Sequence, residues 1–514
     1  MTVAMPPTPG GVQPPLEVAI LGAGVAGLCM AIQLRKAGFT RFTIFEKADG
    51  IGGTWRDNSY PGSGCDVPSH VYRFSFEPKS DWSRAYAEQP EILRYLEHCV
   101  EKYGLTAHLR LKTEIASARF DEAVGLWQLT TIAGETLTAK VLVSGVGQLN
   151  RPYWPDIPGL ERFAGDKFHS ARWDHAADLT GKKVAVIGSG ASAIQFIPRI
   201  AAKTGKLHIF QRSPNWMIPK DDREYGRLEQ ILFRAMPGWA WLYRQYLYLL
   251  LEKNFFAFIQ GSWFGRQFHK VAERQLAQVT DPALRERLRP DYPVGCKRIL
   301  ISNEYYPALQ LPQVDVVTDQ IARIEAGAIV TDDGISRPVD VIILATGFES
   351  LDFLAPLDIV GREGRDLRDV WRNGAEAYLG LTVPGFPNFF MLYGPNTNLG
   401  HNSIIIMIEA QVGYVVNCVR ALFDRHLAWL DVKPEATQRF NEQLQHKLGH
   451  SVWASGCHSW YKNAAGKVTN NWSGFTLAYR MATRRVAFED YRTMPKEYAS
   501  PPKQPVQAQR PLLP

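Results

Sequence analysis

Closely spaced cysteines are missing from this chain. Cys29, Cys65, Cys99, Cys296, Cys418 and Cys457 form no CxxC pair and no cluster with zinc-like spacing. This counts against a dithiol reductase, whose chemistry needs two neighbouring redox thiols, and no metal is expected. Six reduced thiols in a cytoplasmic protein are the expectation. No basic stretch followed by an apolar run opens the chain, so no secretory signal is predicted. A block of one charge is also absent: 58 Lys and Arg against 51 Asp and Glu leave a net charge of +7 spread along the chain. That spread argues against a nucleic-acid partner and suits anionic ligands. The apolar stretch Gly238 to Ile259 has no uncharged run longer than Gln245 to Leu251, well short of the ~20 residues that a spanning helix needs. No transmembrane segment is therefore predicted; the stretch reads as a buried helical insert, with an apolar lid or a peripheral membrane contact as the alternative.

What is present is an ordinary globular composition, 46% hydrophobic and 21% charged over 514 residues, with room for two or three domains. Residues 1–15 and 500–514 are proline-rich without apolar periodicity and read as loose tails. Two stretches share one pattern. Val18 to Leu21 is an apolar run leading into Gly22-Ala23-Gly24-Val25-Ala26-Gly27, a helical segment and a second strand-like run ending at Glu46. Val184 to Ile187 leads into Gly188-Ser189-Gly190-Ala191-Ser192-Ala193, a helical segment and a run ending just before Arg212. Strand, glycine turn, helix and strand in that order are the context of a dinucleotide site, with helix N-terminal amides facing phosphate. Glu46 and Arg212 each lie 24 positions after the first glycine. A carboxylate there suits an adenosine ribose, and a guanidinium suits a 2′-phosphate. The first site therefore reads as FAD and the second as NADPH.

The fold class predicted is α/β, with two Rossmann-like domains, the NADPH domain inserted in the FAD domain, and a helical insert. The expected parts are a FAD-binding domain at 16–148 and 384–499, an NADPH-binding domain at 149–218 and 292–383, and the insert at 219–291. Gly50 to Asp66 is a long glycine-rich connection with Trp55 and Tyr60, and long connections are commonly functional. On composition alone, Asp66 is equally a turn residue. Lys297 and Arg298, beside a glycine turn, are equally a solvated face.

Between the two nucleotide units runs Phe163-Ala164-Gly165-Asp166-Lys167-Phe168-His169-Ser170-Ala171-Arg172-Trp173-Asp174. Its spacing F-x-G-x-x-x-H-x-x-x-W-[PD] resembles the signature of the type I Baeyer–Villiger monooxygenases, FAD- and NADPH-dependent enzymes that insert oxygen next to a ketone carbonyl. Gly52-Gly53-Thr54-Trp55, the segment Tyr60 to Asp66, Gln89 to Tyr95, Ala345-Thr346-Gly347 and Ser459-Trp460-Tyr461 follow in the family's order. The resemblance implies a linking role for His169, and catalysis by Arg298 with Asp66. It further implies cofactor contacts from Gly22, Gly24, Gly27, Glu46, Thr54, Trp55, Asp66, Tyr72, Ile115 and Gln148. The same holds for Gly188, Ser189, Gly190, Ser192, Ala193, Arg212, Ser213, Lys297, Arg298 and Trp460.

The implied reaction passes hydride from NADPH to FAD, captures O2 as a flavin C4a-peroxide and converts a ketone to an ester or lactone. An N- or S-oxygenating flavin monooxygenase is the nearest alternative. A non-catalytic NADPH and flavin sensor is the alternative of another class.

Overall fold

The computed structural model describes residues 15–498 apart from His458 and Ala464. The tails expected at 1–15 and 500–514 lie outside the described residues, Pro15 aside.

An uninterrupted apolar run such as Val18 to Leu21 needs a sheet covered on both faces. Leu16–Leu21 meets that need: it pairs in parallel with Phe42–Phe45 on one side and Thr136–Ser144 on the other, and Val18, Ala19 and Ile20 are fully buried. The eight-stranded sheet runs in the order Asp358–Val360, Ile115–Asp121, Leu126–Thr131, Thr136–Ser144, Leu16–Leu21, Phe42–Phe45, Leu109–Arg110. Phe389–Met391 also pairs with Thr136–Ser144. Glycine sets the first turn. Gly22 has φ 95°, and a Cβ there would stand 2.8 Å from the Gly145 carbonyl oxygen. A Cβ on Gly27 would stand 1.9 Å from the Gly22 carbonyl oxygen, so only glycine lets the helix Val25–Lys36 lie this close to its strand.

The second unit is a five-stranded parallel sheet in the order Val314–Val317, Lys206–Phe210, Lys183–Ile187, Val341–Leu344, Asp166–His169. Gly188, at φ 107°, turns the chain against Ala345, and the helix Ala191–Ala201 begins at Gly190 with Ala193 fully buried beneath it.

The chain rejoins the first sheet at Asp358–Val360, which pairs in parallel with Ser117 to Arg119. This is earlier than the return expected at 384, because a three-residue strand carries no readable period. The insert holds the helices Arg227–Ala235, Pro237–Glu252, Trp263–Leu276 and Pro282–Arg287. It is buried on one side only, which corrects the expectation of a buried insert. Ala240, Tyr243, Leu247 and Leu251 join the core with Val71 and Ile406, whereas Trp239, Leu242, Tyr246 and Leu249 are exposed. Protein covers one side of the helix Pro237–Glu252, and the other faces water.

Ile404–Asp424 is the one helix among the described residues long and apolar enough to cross a membrane, yet 67% of its apolar window is buried. Its Ile405, Ile408, Val412 and Val415 share a core with Leu28 and Ile32 of the first glycine-turn helix. A disulfide joins Cys296 to Cys457, while Cys29, Cys65, Cys99 and Cys418 are free and buried. The expectation of six thiols is corrected here: the two partners are 161 positions apart, and only the packing of the loop carrying Trp460 against the segment before Lys297 brings them together.

Candidate active site between two glycine turns

One cavity of about 660 Å³ opens between the two sheets and is lined from both glycine turns, by Gly22, Gly24 and Glu46 on one side and Gly190 and Ser192 on the other. Thr54, Trp55, Asp66, Tyr72, Ile115, Gln148, Arg298 and Trp460 also line it. The chain after Glu46 spans this gap. Its Tyr60 hydroxyl donates to Gln195 Oε1 at 2.9 Å, and Gln195 Nε2 donates to the Gly64 carbonyl at 3.0 Å. The second glycine-turn helix, which carries Gln195, is thereby tied to the loop that carries Asp66.

Glu46 is buried at the tip of Phe42–Phe45, where Oε2 accepts from the Ala23 amide at 2.8 Å and Oε1 from the Ala48 amide at 3.0 Å. Each oxygen keeps a lone pair, so the carboxylate is held in place and still free to accept from a ribose hydroxyl. Trp55 Nε1 donates to the Tyr72 hydroxyl at 3.1 Å, which fixes both rings at the cavity wall. Gln148 Nε2 donates to the Tyr393 carbonyl at 3.0 Å. Its buried Oε1 has no partner among the described residues, an acceptor that a bound group with N–H donors would satisfy.

Arg298 Nη2 donates to Asp66 Oδ2 across 232 positions. Burial pushes the Asp66 carboxyl up, but the charge and hydrogen bond of Arg298 outweigh it, so Asp66 titrates below its ordinary range. The Asp66 charge in turn raises the guanidinium against the effect of burial. Both groups are therefore ionised at neutral pH. The Tyr393 hydroxyl donates to Asn398 Oδ1 at 2.7 Å, and Asn398 Nδ2 donates to Asn471 Oδ1 at 2.7 Å behind it.

Arg212, Ser213 and Lys297 lie outside the cavity and form a separate corner at the end of Lys206–Phe210. Lys297 Nζ donates to Ser213 Oγ at 2.9 Å. Burial, then the neighbouring Arg212 charge, lowers the Lys297 pKa. Neither cation has a carboxylate partner within 4.0 Å among the described residues. Two cations held together, with Asp291 acting on Lys297 only from beyond ion-pair distance, fit an incoming phosphate.

Flavin-binding monooxygenase-like proteins share a family model that matches residues 16–357. A Baeyer–Villiger monooxygenase of Pseudomonas aeruginosa is 46% identical over 488 residues, covering 94% of this chain and 92% of its own. Another, from Streptomyces coelicolor, is 44% identical over 483 residues, covering 93% of each. The chain belongs to the Baeyer–Villiger monooxygenases. Among solved structures, an oxidised steroid monooxygenase bound to NADP superposes with a TM-score of 0.83 at 33% identity, covering 93% of this chain and 99% of its own. A Rhodococcus cyclohexanone monooxygenase bound to NADP+ gives 0.84 at 28% identity, covering 94% and 100%.

In this monooxygenase Gly27, Gly188 and Ala193 do not line the cavity; they let helix and strand approach. Ser189 is also set back, its carbonyl accepting from Asn215 Nδ2 at 2.9 Å. His169 stays out of the cavity as well. It is fully buried, its Nδ1 accepts from the Ala171 amide at 3.0 Å, and burial pushes its pKa down to about 4. A neutral, buried ring at the end of Asp166–His169 suits a link between the sheets. Trp460 packs tilted against Tyr461 at 4.6 Å between ring centres, and its loop is tethered by the Cys296–Cys457 bridge just ahead of Lys297 and Arg298. Sequence reasoning missed Gln195 and Tyr393 as residues of the site. Gln195 lies in the helix of the second glycine turn, at a position that pattern does not single out, whereas the resemblance implies that the stretch Asn398 to Ile406 passes the flavin ring, and its Asn398 and Asn402 line the cavity.

Proposed function

We propose that this Baeyer–Villiger monooxygenase holds FAD along the first glycine turn and NADPH at the second. It inserts one oxygen atom of O2 beside the carbonyl of a small-molecule ketone, giving an ester or lactone. The Arg298–Asp66 ion pair, inside a cavity shared by both turns, carries this reading. The two sheets support a FAD part built from both ends of the chain and an NADPH part set between them. Three features fit the cofactors: the side-chain-free cradle at Gly22 and Gly27, the unpartnered Gln148 Oε1, and the cationic corner at Arg212 and Lys297.

When bound, FAD supplies the oxygen chemistry and NADPH the reducing equivalents. The chain's own groups bind, orient and exclude water. Gly22, Gly24 and the start of Val25–Lys36 face a pyrophosphate, and Glu46 accepts from the ribose. Thr54, Trp55, Tyr72, Ile115 and Gln148 wall the flavin side. Gly190 and Ser192 face the second pyrophosphate, while Arg212, Ser213 and Lys297 take the 2′-phosphate. Trp460 closes the cavity against solvent. Arg298 offers N–H donors to the anionic oxygen that develops as the carbonyl is attacked, and its high pKa means that it keeps its proton. Asp66 aims that guanidinium. Oxygenation of an amine or sulfide builds no such anionic carbonyl adduct, so a fixed cation favours the ketone reaction.

Chromatography of the flavin released from purified protein, followed by product identification over cyclic, aliphatic, aromatic and steroidal ketones, tests the proposal. FAD and at least one ester or lactone are expected. FMN as the sole flavin, or NADPH oxidation yielding only hydrogen peroxide with every ketone, would refute it.

A further inference from the structure

The insert's water-facing side has a composition that water does not favour. On Arg227–Ala235, Leu228, Ile231 and Leu232 recur at helical spacing and are exposed, Leu228 by 77%. On Pro237–Glu252, Trp239, Leu242, Tyr246 and Leu249 form a second such stripe, Leu249 exposed by 63%. Because the opposite side of that helix is already in the core, the exposed stripe is not a misplaced buried face. Leu477 and Met481 extend it from the helix Thr476–Ala482, which adjoins the insert through the Leu477 amide donating to Glu252 at 3.2 Å. Exposed apolar patches of this extent mark interaction sites.

Charge selects the partner. From 226 to 263 the exposed charged residues are Arg227, Arg234 and Lys253, none of them acidic, with the exposed Glu224 just before this segment and the exposed Asp81 within reach of the Arg234 charge at its edge. Glu229 is half-buried and paired with Arg223, and Glu252 is buried. From 476 to 485 they are Arg480, Arg484 and Arg485, again without an acid. A second copy docking the same face about a two-fold axis would set these cations against themselves. Apolar side chains including tryptophan and tyrosine, rimmed by arginine and lysine, match the boundary of an anionic bilayer, where the rings enter the headgroup layer and the cations meet lipid phosphates.

We propose that this face docks the enzyme on anionic lipid bilayers. The proposal rests on the surface side chains alone and stands whichever substrate the cavity takes. It also places the bilayer next to the site. Glu252, at the end of the exposed helix, accepts from Asn402 Nδ2 at 2.7 Å, and Asn402 lines the cavity. An apolar substrate dissolved in lipid would then reach the cavity from the membrane side.

Sedimentation of the full-length holoenzyme with phosphatidylcholine vesicles, with and without phosphatidylglycerol, is the test. The wild type should co-sediment with the phosphatidylglycerol vesicles and be released by salt. Leu242→Ser with Leu249→Ser should weaken that partitioning by roughly tenfold or more while leaving NADPH turnover and the melting temperature unchanged. Arg480→Glu with Arg484→Glu, which leaves the apolar stripe intact, should weaken binding to phosphatidylglycerol vesicles only. Wild-type protein remaining in the supernatant with both vesicle types would overturn the proposal. So would a dimer that the serine substitutions dissociate and that ignores vesicles, which would make the face a self-association surface.

Discussion

Replacing Arg298 with alanine should separate NADPH oxidation from oxygen insertion. At a separation of about 4 Å, a unit charge and a developing anion attract by about 4 kcal/mol when the effective dielectric is about 20, the value suited to a partly exposed site. The Arg298 side chain is 37% exposed, so solvent screens part of this. About 3 kcal/mol remains, or roughly 100-fold in the rate of ester formation, in line with the loss of one preorganised electrostatic contact. Hydride delivery does not build that anion, so NADPH oxidation should continue and its electrons should appear as hydrogen peroxide. Asp66 is itself 29% exposed, so leaving it unpaired should not unfold the protein. The double variant Asp66→Ala/Arg298→Ala controls for the stranded carboxylate. Arg298→Lys should fall between, because it keeps the charge and loses the planar fork. The assay follows NADPH by absorbance, ester by gas chromatography and peroxide by a coupled peroxidase in the same reactions. Ester formed by Arg298→Ala at the wild-type rate, with NADPH and ester still matched, would refute the placement of the reaction beside Arg298.

Asp66 is held below its ordinary pKa, so its contribution is fully present above the unfolded value of about 4 and is lost as pH falls through the lower folded value. The ratio of ester to NADPH should therefore stay level from about pH 7 to about pH 5 as far as this group is concerned; a wild-type fall in that window, absent in Asp66→Asn, would contradict it. Arg212→Ala should raise the Michaelis constant for NADPH by roughly 10- to 100-fold through the loss of one charge-assisted contact and leave that for NADH nearly unchanged; equal effects on both would show that Arg212 does not read the phosphate. Gly27→Ala places a Cβ 1.9 Å from the Gly22 carbonyl oxygen, so the helix must shift, at a cost of about 1–3 kcal/mol. Reduced flavin content by visible absorbance and a lower melting temperature are expected, and a fully flavinated protein with unchanged melting would show that the turn is not tight.

Short-range chemistry made much of this protein readable from its residues in order. Two glycine turns, each between an apolar run and a helix, are local patterns, and at Gly27 the steric demand is local as well, set by the Gly22 carbonyl, whereas Gly22 and Gly188 are crowded by Gly145 and Ala345 from far along the chain. The opposite charges at Glu46 and Arg212 follow from position along one strand–helix–strand unit, so a site for each dinucleotide could be inferred before any contact between the units was known. The order of motifs through Trp460 carried the family resemblance. Tertiary structure decided what depends on distant parts of the chain meeting. The Asp66–Arg298 hydrogen bond, the Gln195 clamp on the glycine-rich loop and the Cys296–Cys457 bridge each join segments more than a hundred positions apart, and no local period encodes such a meeting. Nor could composition say which side of the helix Pro237–Glu252 would be covered. Leu247 and Leu249 are the same residue type two positions apart, and one is buried while the other faces water, because only the packing of Val71 and Ile406 chooses between them.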